Sequence, residues 1–294
     1  MNPQCSKLGS ITSESLAAPS PSPAEDHPTP TRPRLMIARA PEPDLENPSE
    51  ELSDVFEGNE YTDEDDAIPL SDVPDTTYVR DSTGLPPLDA VLGGGMVVAS
   101  VVLLAAVPGC GKSSLTLQML NGLGHRCLYV TGEETREQIA ATARRIGAAS
   151  SKVFVFVEND LDKIFAKARR LRAQTIAIDS IQKMSCSDIN SRPGSHVQLK
   201  ECTARLVQYA KTSGTSLWLI GHVTNDDTIA GPRTLSHDVD VVLELDQGAG
   251  FGGNERILRC AGKNRYGPTN VVGHLEMTPK GLKSVDGDGW NEPL

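Results

Sequence analysis

Val107-Pro108-Gly109-Cys110-Gly111-Lys112-Ser113-Ser114 follows an apolar, β-branched run, Val97 to Ala106, and leads into a stretch of helical character from Lys112 to Leu123. A buried strand that runs into a glycine turn, with Lys-Ser at the mouth of a helix, is the arrangement that cradles a chain of phosphates. The glycines let successive backbone N–H groups turn inward, and the helix amino terminus adds a partial positive charge. Lys112 then reaches the β- and γ-phosphates of ATP, the Ser113 hydroxyl ligates Mg²⁺, and Val107 to Ser114 wrap the nucleotide. One position departs from Gly-x-x-x-x-Gly-Lys-Ser: Ala106 stands where the first glycine is usual, and alanine resists positive φ.

Strands and helices alternate around this loop. A short helix at Leu88-Asp89 ends in the glycine turn Leu92-Gly93-Gly94-Gly95. Downstream, strands are expected at Cys127–Val130, Val153–Val157, Thr175–Ile178 and Ser216–Ile220. Helices are expected at Thr135–Ile146, Leu161–Ala173 and Val197–Thr212. The helix Leu161–Ala173 carries a basic face. Three strand-like runs close the chain: Val239–Leu245, Glu255–Cys260 and Val271–Met277. The pattern predicts an α/β fold, a mainly parallel twisted sheet flanked by helices, with antiparallel strands at the C-terminal edge.

Thr175-Ile176-Ala177-Ile178-Asp179 is an apolar strand ending in an acid. Asp179 therefore falls at the carboxyl end of the sheet, where ligands of open α/β sheets gather, and suits the second anchor of Mg²⁺. Hydrolysis also needs a group that orients water. Val130-Thr131-Gly132-Glu133-Glu134 ends the strand that follows the phosphate-loop helix, Cys127–Val130; Glu133 suits the general base, with Glu134 assisting. The same two acids also suit the first turn of a helix, where the dipole favours negative charge. Cys110 reads as a small spacer rather than an activated thiol.

Charge divides the chain. Residues 1–78 hold 17 Asp/Glu against 4 Lys/Arg and 12 of the 20 prolines; residues 79–294 hold 22 Asp/Glu against 24 Lys/Arg. The first segment lacks periodicity and is expected to be a disordered acidic leader, either a solvated tail or an arm for a protein partner. Residues 79–284 are expected to form one ATPase domain and residues 285–294 a short tail. The six cysteines, Cys5, Cys110, Cys127, Cys186, Cys202 and Cys260, show no Cys-x-x-Cys pair and read as reduced thiols of a cytoplasmic protein. No apolar run reaches membrane-spanning length, so no membrane is expected.

Further motifs carry a resemblance. Ser82-Thr83-Gly84, Leu92-Gly93-Gly94-Gly95 and Gly132-Glu133-Glu134 are similar to features of KaiC-type ATPases. Ile178-Asp179-Ser180-Ile181-Gln182, Pro193-Gly194-Ser195, Gly221-His222-Val223-Thr224, Ile229-Ala230-Gly231-Pro232-Arg233 and Lys263-Asn264-Arg265-Tyr266-Gly267 resemble the RadA branch of the RecA superfamily, from about Val79 to about Leu282. The resemblance covers the ATPase core; the four-cysteine zinc module and the Lon-protease-like domain of that branch are not expected in these residues.

It implies a RecA-like P-loop NTPase acting in DNA recombination and repair, a DNA-stimulated ATP hydrolase assembled as a ring or filament, a hexamer in ring form. It further implies that Lys263 and Arg265 reach a neighbour's γ-phosphate and that His222 senses that phosphate. Two loops, about Lys183–His196 and about Thr224–His237, would face single-stranded DNA without reading sequence, with Lys183, Arg192, His196 and Arg233 as phosphate contacts. Asn225 replaces a lysine of the branch, and Asp226 and Asp227 follow it. The alternative is a KaiC-like regulatory or scaffold ATPase that does not process DNA.

Overall fold

The run Val97–Ala106 is two strands, not one. In the computed structural model, which describes Ser71, residues 78–222 and residues 234–285, the chain reverses after Val97. Ser100 N and Oγ both donate to Val97 O, at 3.2 and 2.6 Å, and Ala99 takes a positive φ of 62°. A run that is apolar but for Ser100 conceals a turn of this kind. Strand β1 (Arg80–Asp81) pairs antiparallel with β2 (Met96–Val97), and β3 (Val101–Ala106) enters the main sheet. Of the two units into which the chain divides after Asp72, the second holds every described residue except Ser71. The acidic leader apart from Ser71 and Tyr78, the tail beyond Val285, and Asn225, Asp226, Asp227 and Arg233 lie outside the described residues.

Between β1 and β2 lies α1 (Pro86–Leu92), opened by proline and closed by Gly93 in the left-handed region, φ 85°. Ser82-Thr83-Gly84 serves this helix. The Asp89 carboxylate accepts from Ser82 Oγ at 2.6 Å, Thr83 Oγ1 at 2.6 Å and Thr83 N at 2.8 Å.

After β3 the chain alternates through α2 (Lys112–Gly122), β4 (Cys127–Thr131), α3 (Arg136–Arg145), β5 (Val153–Val157), α4 (Leu161–Leu171) and β6 (Thr175–Asp179). A 3₁₀ turn at Ile181–Lys183, α5 (His196–Ser213), β7 (Ser216–His222), α6 (Thr234–Asp238) and β8 (Val241–Gln247) follow. β9 (Glu255–Asn264), β10 (Val272–Thr278) and β11 (Gly281–Ser284) close the chain. The sheet order is β11-β10-β9-β8-β3-β7-β6-β4-β5. The six strands from β8 to β5 pair parallel, and β9, β10 and β11 add antiparallel at the β8 edge. This is the α/β architecture the alternation predicts, with β11 and the extension of β9 to Asn264 as additions. His196, expected in a loop, is the first residue of α5, capped by Ser195, whose hydroxyl accepts from Gln198 N at 3.3 Å.

All six residues of β3 are buried, because both faces of a central parallel strand are covered. Val102, Leu104 and Ala106 pack toward α1, α2 and α3; Val101 and Leu103 pack toward α4 and α5. Each fully buried Val or Leu contributes about 1.5–3 kcal/mol, so burial anchors β3 in the core, and the phosphate loop follows directly from its end. The amphipathic α3 starts on a capping box: Thr135 Oγ1 accepts from Gln138 N, and Gln138 Oε1 accepts from Thr135 N. β11 is held over α2 by Gln118, which donates to Leu282 O at 2.9 Å and accepts from Leu282 N at 2.8 Å.

Candidate functional site

The carboxyl ends of β3, β4, β6 and β7 open on one cleft of about 480 Å³, whose lining includes Gly109, Lys112, Ser113, Glu133, Asp179 and His222. Parallel pairing puts them there. Ala106 lies opposite His222, and Asp179 lies between Thr131 and Ile220.

Gly109 and Gly111 take φ of 80° and 104°, a region glycine enters without strain. Gly111 carries a second constraint, since a Cβ there would fall 2.3 Å from Met277 Cε. Ala106 costs the loop nothing. It is the last residue of β3, is absent from the positive-φ residues, and its carbonyl accepts from Lys112 Nζ at 2.9 Å. Val107 O accepts from the same ammonium at 3.1 Å. Burial holds Lys112 below the ordinary lysine range, a shift that the nearby Asp179 partly opposes.

Cys110 is a spacer. Its thiol is buried and donates to Leu245 O at 3.0 Å, and desolvation pushes it up, away from the thiolate. The buried Arg256 straps the loop to β9: its Nε donates to Cys110 O at 2.9 Å, and its Nη1 to Glu255 O at 2.7 Å. Nothing in the loop's sequence announces this strap, whose two ends lie 146 residues apart.

Ser113 Oγ donates to Asp179 Oδ2 at 2.9 Å, and Tyr129 OH donates to the same oxygen at 2.6 Å. Tyr129 is fully buried, and its phenol is pushed far up by burial and then by the Asp179 charge. It reads in sequence as one more apolar strand residue, so its role was invisible there. A hydroxyl and a carboxylate converging at this distance fit a hard cation that takes oxygen ligands and shares its shell with phosphate and water. Among the described residues no cluster of three or more His, Cys, Asp or Glu could hold a metal. The donor set therefore suits Mg²⁺ accompanied by nucleotide phosphates rather than an all-protein cage.

Thr131 Oγ1 accepts from Glu133 N at 3.2 Å and Glu134 N at 3.1 Å, which fixes where the two acids leave β4. Glu133 Oε1 accepts from Ser180 Oγ at 3.2 Å and lies 3.7 Å from His222 Nε2 and 3.8 Å from Lys183 Nζ. Lys183, expected on a DNA-facing loop, is thus exposed at the rim of the cleft beside Glu133. Glu134 is more enclosed; burial first, then Asp179 and Glu133, raises its carboxyl above the usual range. Thr142 and Arg145 of α3 also line the cleft, and Arg145 Nη1 donates to Pro279 O at 2.8 Å. Their spacing on a helix surface carried no signal.

Lys263 and Arg265 are not brought to this cleft. Lys263 pairs with Val242, and Arg265 Nη1 lies 2.9 Å from Asp240 Oδ1, whose other oxygen accepts from Val101 N at 2.9 Å. Both cations therefore sit at the amino-terminal end of β3, across the sheet from the loop that ends it. Lys263 Nζ donates to Ser236 O at 2.9 Å and His237 O at 2.6 Å. Arg192 and His196 are exposed near the start of α5.

A family model described as an AAA domain matches residues 67–228. Proteins named DNA repair protein RadA are similar over 74% of this chain: that of Pseudomonas aeruginosa at 45% identity, covering 48% of it, and those of Bacillus subtilis at 41% and Escherichia coli at 40%, each covered over 47%. The chain spans about half the length of these relatives. A solved KaiC-like protein from Pyrococcus horikoshii superposes with a TM-score of 0.58 at 18% identity, over 71% of this chain and 100% of that one. That likeness shows the fold. Among the described residues no helix is long and apolar enough to cross a membrane.

Proposed function

Since this chain belongs to the AAA domain family, with an ATPase core of the RadA type, we propose that it is a DNA-dependent ATPase of recombination and repair that hydrolyses the β–γ bond of ATP. The observation that carries the reading is the convergence of Lys112, Ser113, Asp179 and Glu133 on one cleft at the sheet's carboxyl end.

In this reading the inward N–H groups of Gly109 to Ser113 bind the phosphates, and Lys112 leaves the carbonyls of Ala106 and Val107 for the β- and γ-oxygens. Ser113 and Asp179 hold Mg²⁺, which when bound neutralises charge developing on the phosphates. Glu133 orients the attacking water and accepts its proton, and Ser180 and His222 hold its carboxylate in place. His222 lines the same cleft and lies 3.7 Å from Glu133; in this reading it senses the γ-phosphate, and its pairing with Glu133 couples nucleotide state to the segment that follows β7. Lys263 and Arg265, remote from the cleft of their own chain, act on a neighbour's nucleotide in a ring or filament, hexameric in ring form. Single-stranded DNA runs along the segment containing Lys183, Arg192 and His196, held through phosphates. A cytoplasmic setting accords with the free, buried thiols at Cys110, Cys127, Cys186, Cys202 and Cys260.

The test is steady-state ATP hydrolysis with and without single-stranded DNA. Stimulation by DNA is expected. Hydrolysis unchanged by DNA, together with no DNA binding at low salt, would remove the DNA half of the reading.

A further inference from the structure

At the opposite end of the sheet from the ATP cleft lies a second concavity of about 620 Å³. Arg126, Lys152 and Gln174 stand one residue before β4, β5 and β6 and continue their ladder: Cys127 N donates to Lys152 O, and Gln174 N to Arg126 O, each at 2.9 Å. Adjacent strands are about 4.8 Å apart, so these side chains start as close neighbours. Arg172 joins them from the carboxyl terminus of α4, where it occupies the left-handed cap position at φ 52°. Glycine or asparagine fills that position at less cost.

Three features mark this concavity as a binding surface. First, none of its lining residues is Asp or Glu. Asp81 comes closest in chemistry, and it faces His125, at 3.8 Å. Second, Arg126, Lys152 and Arg172 are exposed and have no carboxylate partner among the described residues. Arg126 donates one N–H to Leu171 O, and Lys152 donates to Gly124 O, which leaves most of their donors outward. The last turn of α4 adds exposed Arg169 and Arg170. Third, Phe154 lines the cleft, half-buried on the α4 side of β5.

We propose that this cleft, ringed by Arg126, Lys152 and Arg172 and walled by Phe154, binds single-stranded nucleic acid as a surface separate from the loops after β6 and β7. Guanidinium and ammonium groups take the phosphates, and the phenylalanine offers a face on which an unpaired base stacks. An acidic peptide would satisfy the cations but has no use for the ring, which is why nucleic acid is the better occupant. The proposal rests on the DNA-dependent reading above and adds a site to it.

The test uses the full chain with ATP and a fluorescein-labelled oligothymidine, read by anisotropy over a salt series. Exchanging Arg126, Lys152 and Arg172 together for alanine should weaken binding about tenfold or more, and should lower the slope of log K against log salt by about 2. Hydrolysis without DNA should stay unchanged, which also reports that the variant is folded. Phe154→Leu should weaken binding about fivefold or more with the slope intact. A triple variant that binds like the unaltered protein, with the same slope, overturns the proposal. So does a labelled glutamate-rich peptide that needs the three cations but is indifferent to Phe154→Leu, while oligothymidine is not displaced. Failure of the unaltered protein to bind oligothymidine removes the DNA-dependent reading itself, so the two failures are distinct.

Discussion

Ser113 and Asp179, 66 residues apart in sequence, meet at 2.9 Å across the mouth of the cleft. The contact joins the first residue of the helix after the phosphate loop's lysine to the last residue of β6. Hydroxyl and carboxylate are thereby set where a cation bound to the nucleotide would need them. Asp179→Asn keeps the shape and removes the charge. Turnover at saturating ATP should fall about 100-fold or more, equivalent to roughly 3 kcal/mol, and the activity that remains should need more Mg²⁺. A magnesium titration of hydrolysis checks this; an unchanged titration would refute the assignment.

Lys112 is satisfied by two backbone carbonyls, Ala106 O and Val107 O, so its loss removes hydrogen bonds without burying an unpaired charge. Lys112→Ala should fold with a circular dichroism spectrum like that of the unaltered chain, yet abolish turnover. Persistent hydrolysis would show that phosphate transfer occurs elsewhere.

Glu133 and Glu134 leave β4 together but enter different surroundings. Glu133→Gln should retain nucleotide binding, measured with a fluorescent ATP analogue, and lose about 10²–10⁴-fold in turnover. Equal losses in both quantities would make Glu133 a binding residue instead.

Glu134 gives a pH signature. Its folded-state carboxyl titrates above the unfolded value because burial and the charges of Asp179 and Glu133 disfavour ionisation. A raised carboxylate favours the fold below its unfolded pKa, and that contribution is lost as pH rises through the folded pKa. At neutral pH the ionised group is therefore a burden. Glu134→Gln should raise the melting temperature there, and the gain should vanish as pH falls below the carboxylate range. A gain independent of pH would place its cause in packing. Residues chosen for chemistry commonly carry such a stability cost.

Arg265 is held by Asp240 at the far end of the sheet from Lys112. If it completes a neighbour's site, Arg265→Ala and Lys112→Ala chains should each be inactive alone and recover part of the activity when mixed. Mixed assemblies pair an intact phosphate loop with an intact arginine from the next subunit. Mixtures that stay inactive would sink the shared site.

Much of this molecule is written locally. Gly109, Gly111, Lys112 and Ser113 are identifiable because a phosphate loop needs specific residue types at specific spacing, with a strand before and a helix after. The parallel sheet is legible in the alternation of apolar runs and amphipathic stretches, since each element must bury a face of matching period. Asp179 is readable for the same reason: it ends a strand, and parallel strands bring their ends together. Glu133 follows the end of β4 by two residues, and His222 is marked in the sequence only by the family resemblance. Contacts across the sheet are another matter. That Tyr129 shares an oxygen of Asp179, that Lys183 stands beside Glu133, that Arg256 ties down Cys110, and that Val97 to Ala106 breaks at Ala99 all depend on register and on partners dozens of residues away. Composition along a chain records which face a residue prefers. The partner it meets on that face is set only once every strand has taken its place.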